Sequence, residues 1–155
     1  MRRAPLVGLA FALAGAVIIA QQPPTAPRDP QRELTMSVAD GFTVAAVGDC
    51  IIARPVSQTP GFASVGKLIR DADSAFGNFE GTAIDLSRTP AVPQAEFGGV
   101  WIIGAPAVAR DLKSIGFDIM SRANNHATDW GLEGMRQTSR ALDEAGIVHA
   151  GGAAG

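Results

Sequence analysis

Short apolar runs alternate with segments of helical periodicity from residue 41 onward. Residues 42–47 are apolar and β-favouring and end at Gly48-Asp49, which is typical of a buried parallel strand. Residues 63–72 carry apolar side chains at helical spacing, which predicts a helix. This order is repeated along the chain. Further strands are predicted at 74–77, 101–103, 117–120 and 147–149, further helices at 106–114 and 132–145, and a Gly/Pro-rich loop at 81–100.

This alternation predicts an α/β fold built from βαβ units, with a parallel sheet that helices cover on both faces. In such sheets the ligand site lies beyond the carboxyl ends of the strands. We therefore expect the functional side chains in the segments that directly follow the predicted strands.

The first forty residues have a different composition. Arg2 and Arg3 precede an uncharged, mostly apolar stretch over residues 4–20, which is the pattern of an export signal or membrane anchor. Residues 21–40 contain four prolines and are predicted to form an extended linker. Residues 41–155 are the predicted folded part. This organisation predicts an extracytoplasmic protein, either secreted or anchored to the membrane.

Composition narrows the class of function. The chain has 155 residues with 46% hydrophobic and 18% charged, which is the composition of a folded protein. Its net charge of -2 and its lack of Tyr disfavour a nucleic-acid binder, which needs a basic face and aromatic stacking platforms. A single cysteine, Cys50, excludes an intrachain disulfide and is expected to be a small buried hydrophobe.

Polar side chains follow three of the predicted strands. They are Asp49 after the first strand, Asn78 and Glu80 after the second, and Asn124-Asn125-His126 after the 117–120 strand. Parallel strands would bring these ends to one edge, where facing carboxylates repel unless a cation lies between them. Oxygen and imidazole ligands suit Mg, Mn, Zn or Fe, and His126 could protonate a leaving group. Taken singly, each residue is more often part of a turn, a loop or a structural contact than of a site, and their joint position at successive strand ends favours the site.

Three segments resemble bacterial capsule synthesis proteins of the CapA type, which are linked to poly-γ-glutamate capsules and have a calcineurin-like metallophosphoesterase fold. The resemblance is carried by Val47-Gly48-Asp49, by Gly77-Asn78-Phe79-Glu80 and above all by the run from Ala123 to Gly131. It extends from about residue 42 to residue 152. The expected fold is thus a layered metallophosphoesterase-like βαβ sheet, of which this chain carries the amino-terminal part.

The resemblance also implies roles for individual residues. Asp49, Glu80 and Asn125 would be metal ligands, and His126 would be the acid or the phosphate contact. The remaining candidates would bind substrate or orient the ligands; they are Arg54, Asn78, Asn124 and Asp129. Metallophosphoesterases usually have His or Asp where this chain has Ile51, and they supply later His ligands. A complete metal site is therefore not expected from these residues alone.

The leading hypothesis is an exported protein of capsule or poly-γ-glutamate biosynthesis. Its expected cofactor is a divalent metal, and its expected ligand is an anionic polymer or a phosphate-containing substrate. One alternative is a non-catalytic subunit that binds polymer or a membrane synthase complex. The other is a secreted metal-dependent phosphoesterase or other hydrolase of a different substrate, and no nucleic-acid partner is expected.

Overall fold

The strands and helices follow the alternating order that the hydrophobic pattern predicts. The structure is a computed structural model and describes residues 29–94 and 100–152. In chain order the elements are α1 (Pro30–Leu34), β1 (Val44–Asp49), α2 (Phe62–Arg70), β2 (Ser74–Asn78), β3 (Thr82–Ala83), β4 (Ile103–Gly104), α3 (Ala107–Ile115), β5 (Ile119–Ser121), α4 (Gly131–Ala145) and β6 (Val148–Ala150).

The chain divides into two units, residues 1–37 and residues 38–155. Within the first unit, α1 is a short helix whose N-cap Asp29 accepts the backbone N–H groups of Gln31 and Arg32 at 3.1 and 3.3 Å. The predicted extended linker over 21–40 therefore contains one helical turn in its described part. The predicted export segment, residues 1–20, lies outside the described residues. In the described ranges no helix is long and apolar enough to cross a membrane.

The main sheet of the second unit has four parallel strands in the order β1-β2-β5-β6. Each new strand is added on the same side of the preceding one. Crossovers between parallel strands are right-handed as a rule, so a sheet that grows in one direction is expected to carry its helices on one face. In agreement, α2 contacts α3 and α3 contacts α4. The core under these helices includes fully buried Ala75, Leu112 and Met120.

The opposite face of the sheet is uncovered in the described part of the chain, so the prediction that helices cover both faces was wrong. Ala46, Phe76, Ile119 and Val148 pair in register across all four strands. The last three side chains of that row are 36%, 39% and 67% exposed. Strand β1 likewise alternates between half-buried and exposed residues instead of being buried throughout.

A second, two-stranded parallel sheet pairs β3 with β4. The predicted 101–103 strand thus begins at Ile103 and belongs to this small sheet, while β3 lies inside the predicted loop. The small sheet packs on α4, where Thr138 Oγ1 accepts the Ala83 N–H at 3.0 Å. The buried face of α4 has small residues at its centre, and Leu132 of the predicted apolar stripe is 45% exposed.

Candidate functional site

Three strand ends meet at one level of the main sheet. Asp49 at the end of β1 pairs with Asn78 at the end of β2, and Asn78 pairs with Ser121 at the end of β5. The segments that follow these strands therefore leave the sheet side by side. The sequence-based prediction that this edge gathers the polar residues agrees with the geometry.

Asn78 lies at the centre of the cluster. Its Nδ2 donates to Asp49 Oδ1 at 2.8 Å and to Glu80 Oε2 at 3.2 Å. One amide group thus bridges two carboxylates from different segments. Because an amide donor supplies only a partial positive charge, the two negative groups remain incompletely neutralised.

Asn124 connects this bridge to the segment after β5. Its Nδ2 donates to Asn78 Oδ1 at 3.0 Å and to the Phe79 carbonyl at 2.9 Å, while its Oδ1 accepts the His126 N–H at 3.1 Å. The three hydrogen bonds of the Asn124 side chain thus reach three different residues of the cluster. Asn124 therefore positions both the bridging amide and the backbone of His126.

The imidazole of His126 is held between two carboxylates. Its Nδ1 lies 2.8 Å from Asp129 Oδ2, and its Nε2 lies 3.8 Å from Glu80 Oε1. Asp129 is 1% exposed, and the same Oδ2 accepts the Ile102 N–H at 2.7 Å. A carboxylate that accepts at Nδ1 requires the proton on that nitrogen, which leaves Nε2 directed toward Glu80.

The facing carboxylates shift the acidity of Glu80. Burial raises the pKa of Glu80 above 4.5, and the hydrogen bond and the negative charge of Asp49 raise it further. The neighbouring His126 acts in the opposite direction and lowers the pKa of Glu80. Glu80 thus retains a proton in the folded chain more readily than an isolated carboxyl group does.

This charge conflict is the feature that fits a divalent cation, because an ion between the two carboxylates would remove the repulsion. The donor set of two carboxylates and one imidazole nitrogen is also chemically suitable. In the ranges 29–94 and 100–152, however, no three His, Cys, Asp or Glu side chains form a ready-made metal cluster. The residues therefore fit one weakly coordinated ion and do not form a closed structural metal site.

Two predicted site residues lie apart from this network. Asn125 is exposed, and its side chain makes no hydrogen bond among the described residues. Arg54, in the loop between β1 and α2, is also exposed and has no hydrogen bond or ion pair in the described part of the chain. Their roles as metal ligand and anion contact stay predictions.

Cys50 follows Asp49 but is not an activated nucleophile. It is 8% exposed, and burial together with the charge of Asp49 raises the pKa of its thiol to about 11. The neutral thiol is a poor nucleophile at neutral pH. Its position within the hydrophobic core agrees with the interpretation of Cys50 as a small buried side chain.

Two contacts that position residues of the cluster could not be predicted from the sequence pattern. The N–H of Ile102 and the carbonyl of Phe79 are backbone groups, yet they hold Asp129 and Asn124 in place. Backbone groups are present at every position, so their use depends on which segments the fold brings together. The short spacing between His126 and Asp129, by contrast, was visible in the chain.

Comparison with known proteins adds an independent observation. The family model of the bacterial capsule synthesis protein PGA_cap matches residues 43–155. Over 117 residues, which are 74% of this chain and 25% of theirs, the uncharacterized proteins y4sH and y4uA of Sinorhizobium fredii (strain NBRC 101917 / NGR234) are each 51% identical. The capsule biosynthesis protein CapA of Bacillus anthracis is 27% identical over 117 residues, 71% of this chain and 28% of its own length. The chain thus spans about a quarter of the length of these relatives.

Proposed function

The chain belongs to the bacterial capsule synthesis protein family PGA_cap, and we propose that it is an exported capsule-biosynthesis protein with a metal-assisted hydrolytic site at the carboxyl edge of its sheet. The reaction class is cleavage of a phosphate ester or of a bond in an anionic capsule polymer such as poly-γ-glutamate. Export rests on the basic and apolar pattern of residues 2–20.

The single observation that carries this proposal is the Asp129–His126–Glu80 arrangement. Asp129 is buried and fixes the imidazole through Nδ1, so Nε2 is the nitrogen that faces the carboxylate pair. A histidine fixed in this way can donate a proton to a leaving-group oxygen or contact a bound phosphate. Such a buried orienting carboxylate is a common companion of catalytic histidines.

A divalent metal fits beside this histidine. Asp49 and Glu80 would hold it, with His126 or the exposed Asn125 as a further ligand. When bound, a metal of the Mn, Zn, Fe or Mg type supplies charge neutralisation and a more acidic water. The Asn78 amide, which donates to one oxygen of each carboxylate, would hold the two ligands beside each other.

The substrate in this proposal carries negative charge. Arg54 lies in the loop that follows β1 and has no partner among the described residues, so its guanidinium is available for a phosphate or carboxylate. A membrane synthase complex is the expected macromolecular partner, since capsule polymer must be handed over at the cell surface.

The test is hydrolysis of a generic phosphate ester by the 155-residue chain with added Mn²⁺ or Zn²⁺. We expect activity that a chelator abolishes, that His126→Ala lowers by about 100-fold or more, and that Glu80→Gln also lowers. Glu144→Gln, an exposed carboxylate in the last turn of α4, is the matched control and should leave the rate unchanged. Hydrolysis that persists in His126→Ala would refute the proposed role of this histidine.

A non-catalytic subunit is the second candidate, and one observation favours it. Ile51 is 59% exposed at the position where metallophosphoesterases usually place a metal ligand. A chain of this kind would bind polymer or synthase without turnover. Co-purification with a membrane complex, together with unaltered capsule production in the Glu80→Gln variant, would select this candidate over the hydrolase. A secreted hydrolase of another substrate would use the same residues and differs only in the ester that it cleaves.

A further inference from the structure

A groove lies between α4 and the end of β6, one strand beyond the His126 cluster. Its volume is about 630 Å³, and its wall includes Arg136, Ser139 and Arg140 of α4 together with the backbone of Gly151 and Gly152. The end of β6 lies at the same edge of the sheet as the strand ends already described, because all four strands are parallel. None of the residues assigned to the His126 cluster lines this groove.

The two arginines of the wall form no ion pair in the described part of the chain, although Asp143 shares the wall with them. Arg136 and Arg140 are four residues apart and thus lie on the same face of α4, where like charges destabilise a helix. Among the described residues neither guanidinium forms a hydrogen bond or an ion pair. Both guanidinium groups therefore remain available to an anion in the groove.

Arg122 adds a third, buried positive charge behind the same wall. It follows β5 directly and is 1% exposed. It donates to Ser139 Oγ at 2.5 Å and to the Met135 carbonyl at 3.0 Å, both of which are uncharged. Burial lowers the pKa of Arg122, and the negative charge of Asp143 opposes this effect. Within ranges 29–94 and 100–152 Arg122 forms no ion pair, which is costly for a buried cation.

The Gly152 backbone covers this buried guanidinium. A Cβ atom at Gly152 would lie 2.9 Å from the Arg122 Cζ, so the backbone approaches the guanidinium closely at this point. The Gly152 backbone therefore lies between the Arg122 guanidinium and the groove, and the positive charge of Arg122 acts on the groove through it. In the groove wall Asp143 is the opposing charge, and its Oδ1 is 3.1 Å from His149 Nε2.

From these observations we infer that the groove between α4 and β6 binds an oxyanion, a phosphate or a carboxylate group of a small molecule or polymer unit. Arg136 and Arg140 would contact the anion, since guanidinium groups bind both oxyanions through paired N–H donors. Arg122 would contribute its charge without contact. This inference stands apart from the proposed hydrolysis, because it predicts binding and not turnover.

The test is calorimetric titration of the 155-residue chain with inorganic phosphate and, separately, with glutarate, at low ionic strength. We expect Arg140→Gln and Arg136→Gln each to weaken binding about tenfold, the effect of losing one charge-assisted contact. Both side chains are exposed, so these variants should fold. Arg70→Gln, on the distant helix α2, is the charge-matched control and should keep the wild-type affinity.

The titrations give different results depending on whether the groove binds an anion and on which anion it binds. Tighter binding of phosphate assigns a phosphate group to the groove, and tighter binding of glutarate assigns a carboxylate; either supports the inference. No binding of either anion by the wild-type chain, or an equal loss in Arg70→Gln, overturns it. In a His126→Ala background, Arg140→Gln should still weaken anion binding about tenfold, so a failure of this inference can be distinguished from a failure of the proposed catalytic site.

Discussion

Asp129 Oδ2 lies 2.8 Å from Nδ1 of His126 and also accepts the backbone N–H of Ile102. The same oxygen therefore fixes the orientation of the imidazole and the position of the backbone just before β4. Because Asp129 is 1% exposed, water competes little for these bonds. The His126 ring, which lies in a turn segment, is thus linked through Asp129 to the residue that precedes β4.

Replacing Asp129 tests this link. In Asp129→Asn the side-chain oxygen can still accept the Ile102 N–H, but the negative charge that supports His126 is lost. We expect metal-dependent ester hydrolysis to fall by about 10- to 100-fold with an altered pH profile, while the thermal unfolding temperature changes little. Asp71→Asn, at the exposed C-cap of α2, is the control. An unchanged kcat/KM and pH profile in Asp129→Asn would contradict the positioning role.

The raised pKa of Glu80 predicts a pH-dependent stability. A carboxyl group whose folded-state pKa lies above its unfolded value of 4.5 stabilises the fold below that value and loses this contribution as pH rises through the folded pKa. Without added metal, Glu80→Gln should therefore raise the unfolding temperature at pH 7 and not at pH 4. Glu144→Gln should show no such difference. Equal effects of Glu80→Gln at both pH values would rule out the charge conflict with Asp49.

Asp111 anchors the loop after β1 to α3. It accepts the N–H groups of Val56 and Ser57 at 2.6 and 3.1 Å and a short bond from the Ser57 hydroxyl. Burial raises the pKa of Asp111, but these hydrogen bonds outweigh it and the net pKa is lowered. We expect Asp111→Ala to reduce the free energy of unfolding by about 1–3 kcal/mol in urea titrations.

The lowered pKa of Asp111 also determines how its contribution to stability changes with pH. Its stabilisation is present above the unfolded value of 3.8 and is lost as pH falls through the lower folded value. The difference between wild type and Asp111→Ala should therefore shrink in acid. Asp71→Ala, which breaks an exposed pair with Lys67, should cost under about 1 kcal/mol. A comparable loss in both variants would contradict the anchoring role.

The uncovered face of the sheet predicts self-association of the isolated chain. Parallel sheets are normally covered on both faces, and here Phe76, Ile119 and Val148 remain exposed. We expect concentration-dependent association in sedimentation velocity, and Ile119→Lys should reduce it. Leu68→Lys, at a side chain that is 71% exposed on α2, is the matched control and should not. A monomeric wild-type chain at high concentration would refute this expectation.

Gly116 is required by its backbone conformation at the end of α3. Its φ is 118°, and a Cβ atom there would lie 2.8 Å from Arg70 Cγ. Gly116→Ala should therefore cost about 1–3 kcal/mol of unfolding free energy. Gly48→Ala is a suitable control, since a Cβ at that position meets nothing within 4 Å and no positive φ is involved. Equal stability of the two variants would show that the α3 end adapts freely.

Local sequence patterns determined the secondary structure and the location of the polar cluster. Apolar runs and helical spacing located the main strands and helices within a few residues, because these periodicities reflect which side chains share one face of an element and are buried together. The strand-to-polar transitions at Asp49, Asn78 and the segment before His126 also located the cluster. Membership of the capsule synthesis family was visible in the same three segments.

The tertiary structure determines which sheet faces are covered and which distant segments meet, and no local sequence pattern contains this information. Whether a sheet face is covered depends on the direction in which strands are added, and here all additions place the helices on one side. The support of Asp129 by the Ile102 N–H and of Asn124 by the Phe79 carbonyl joins segments that are distant in the chain. The burial of Arg122 beneath Gly152 is of the same kind, since the cost of a buried charge depends on neighbours that only the folded chain supplies.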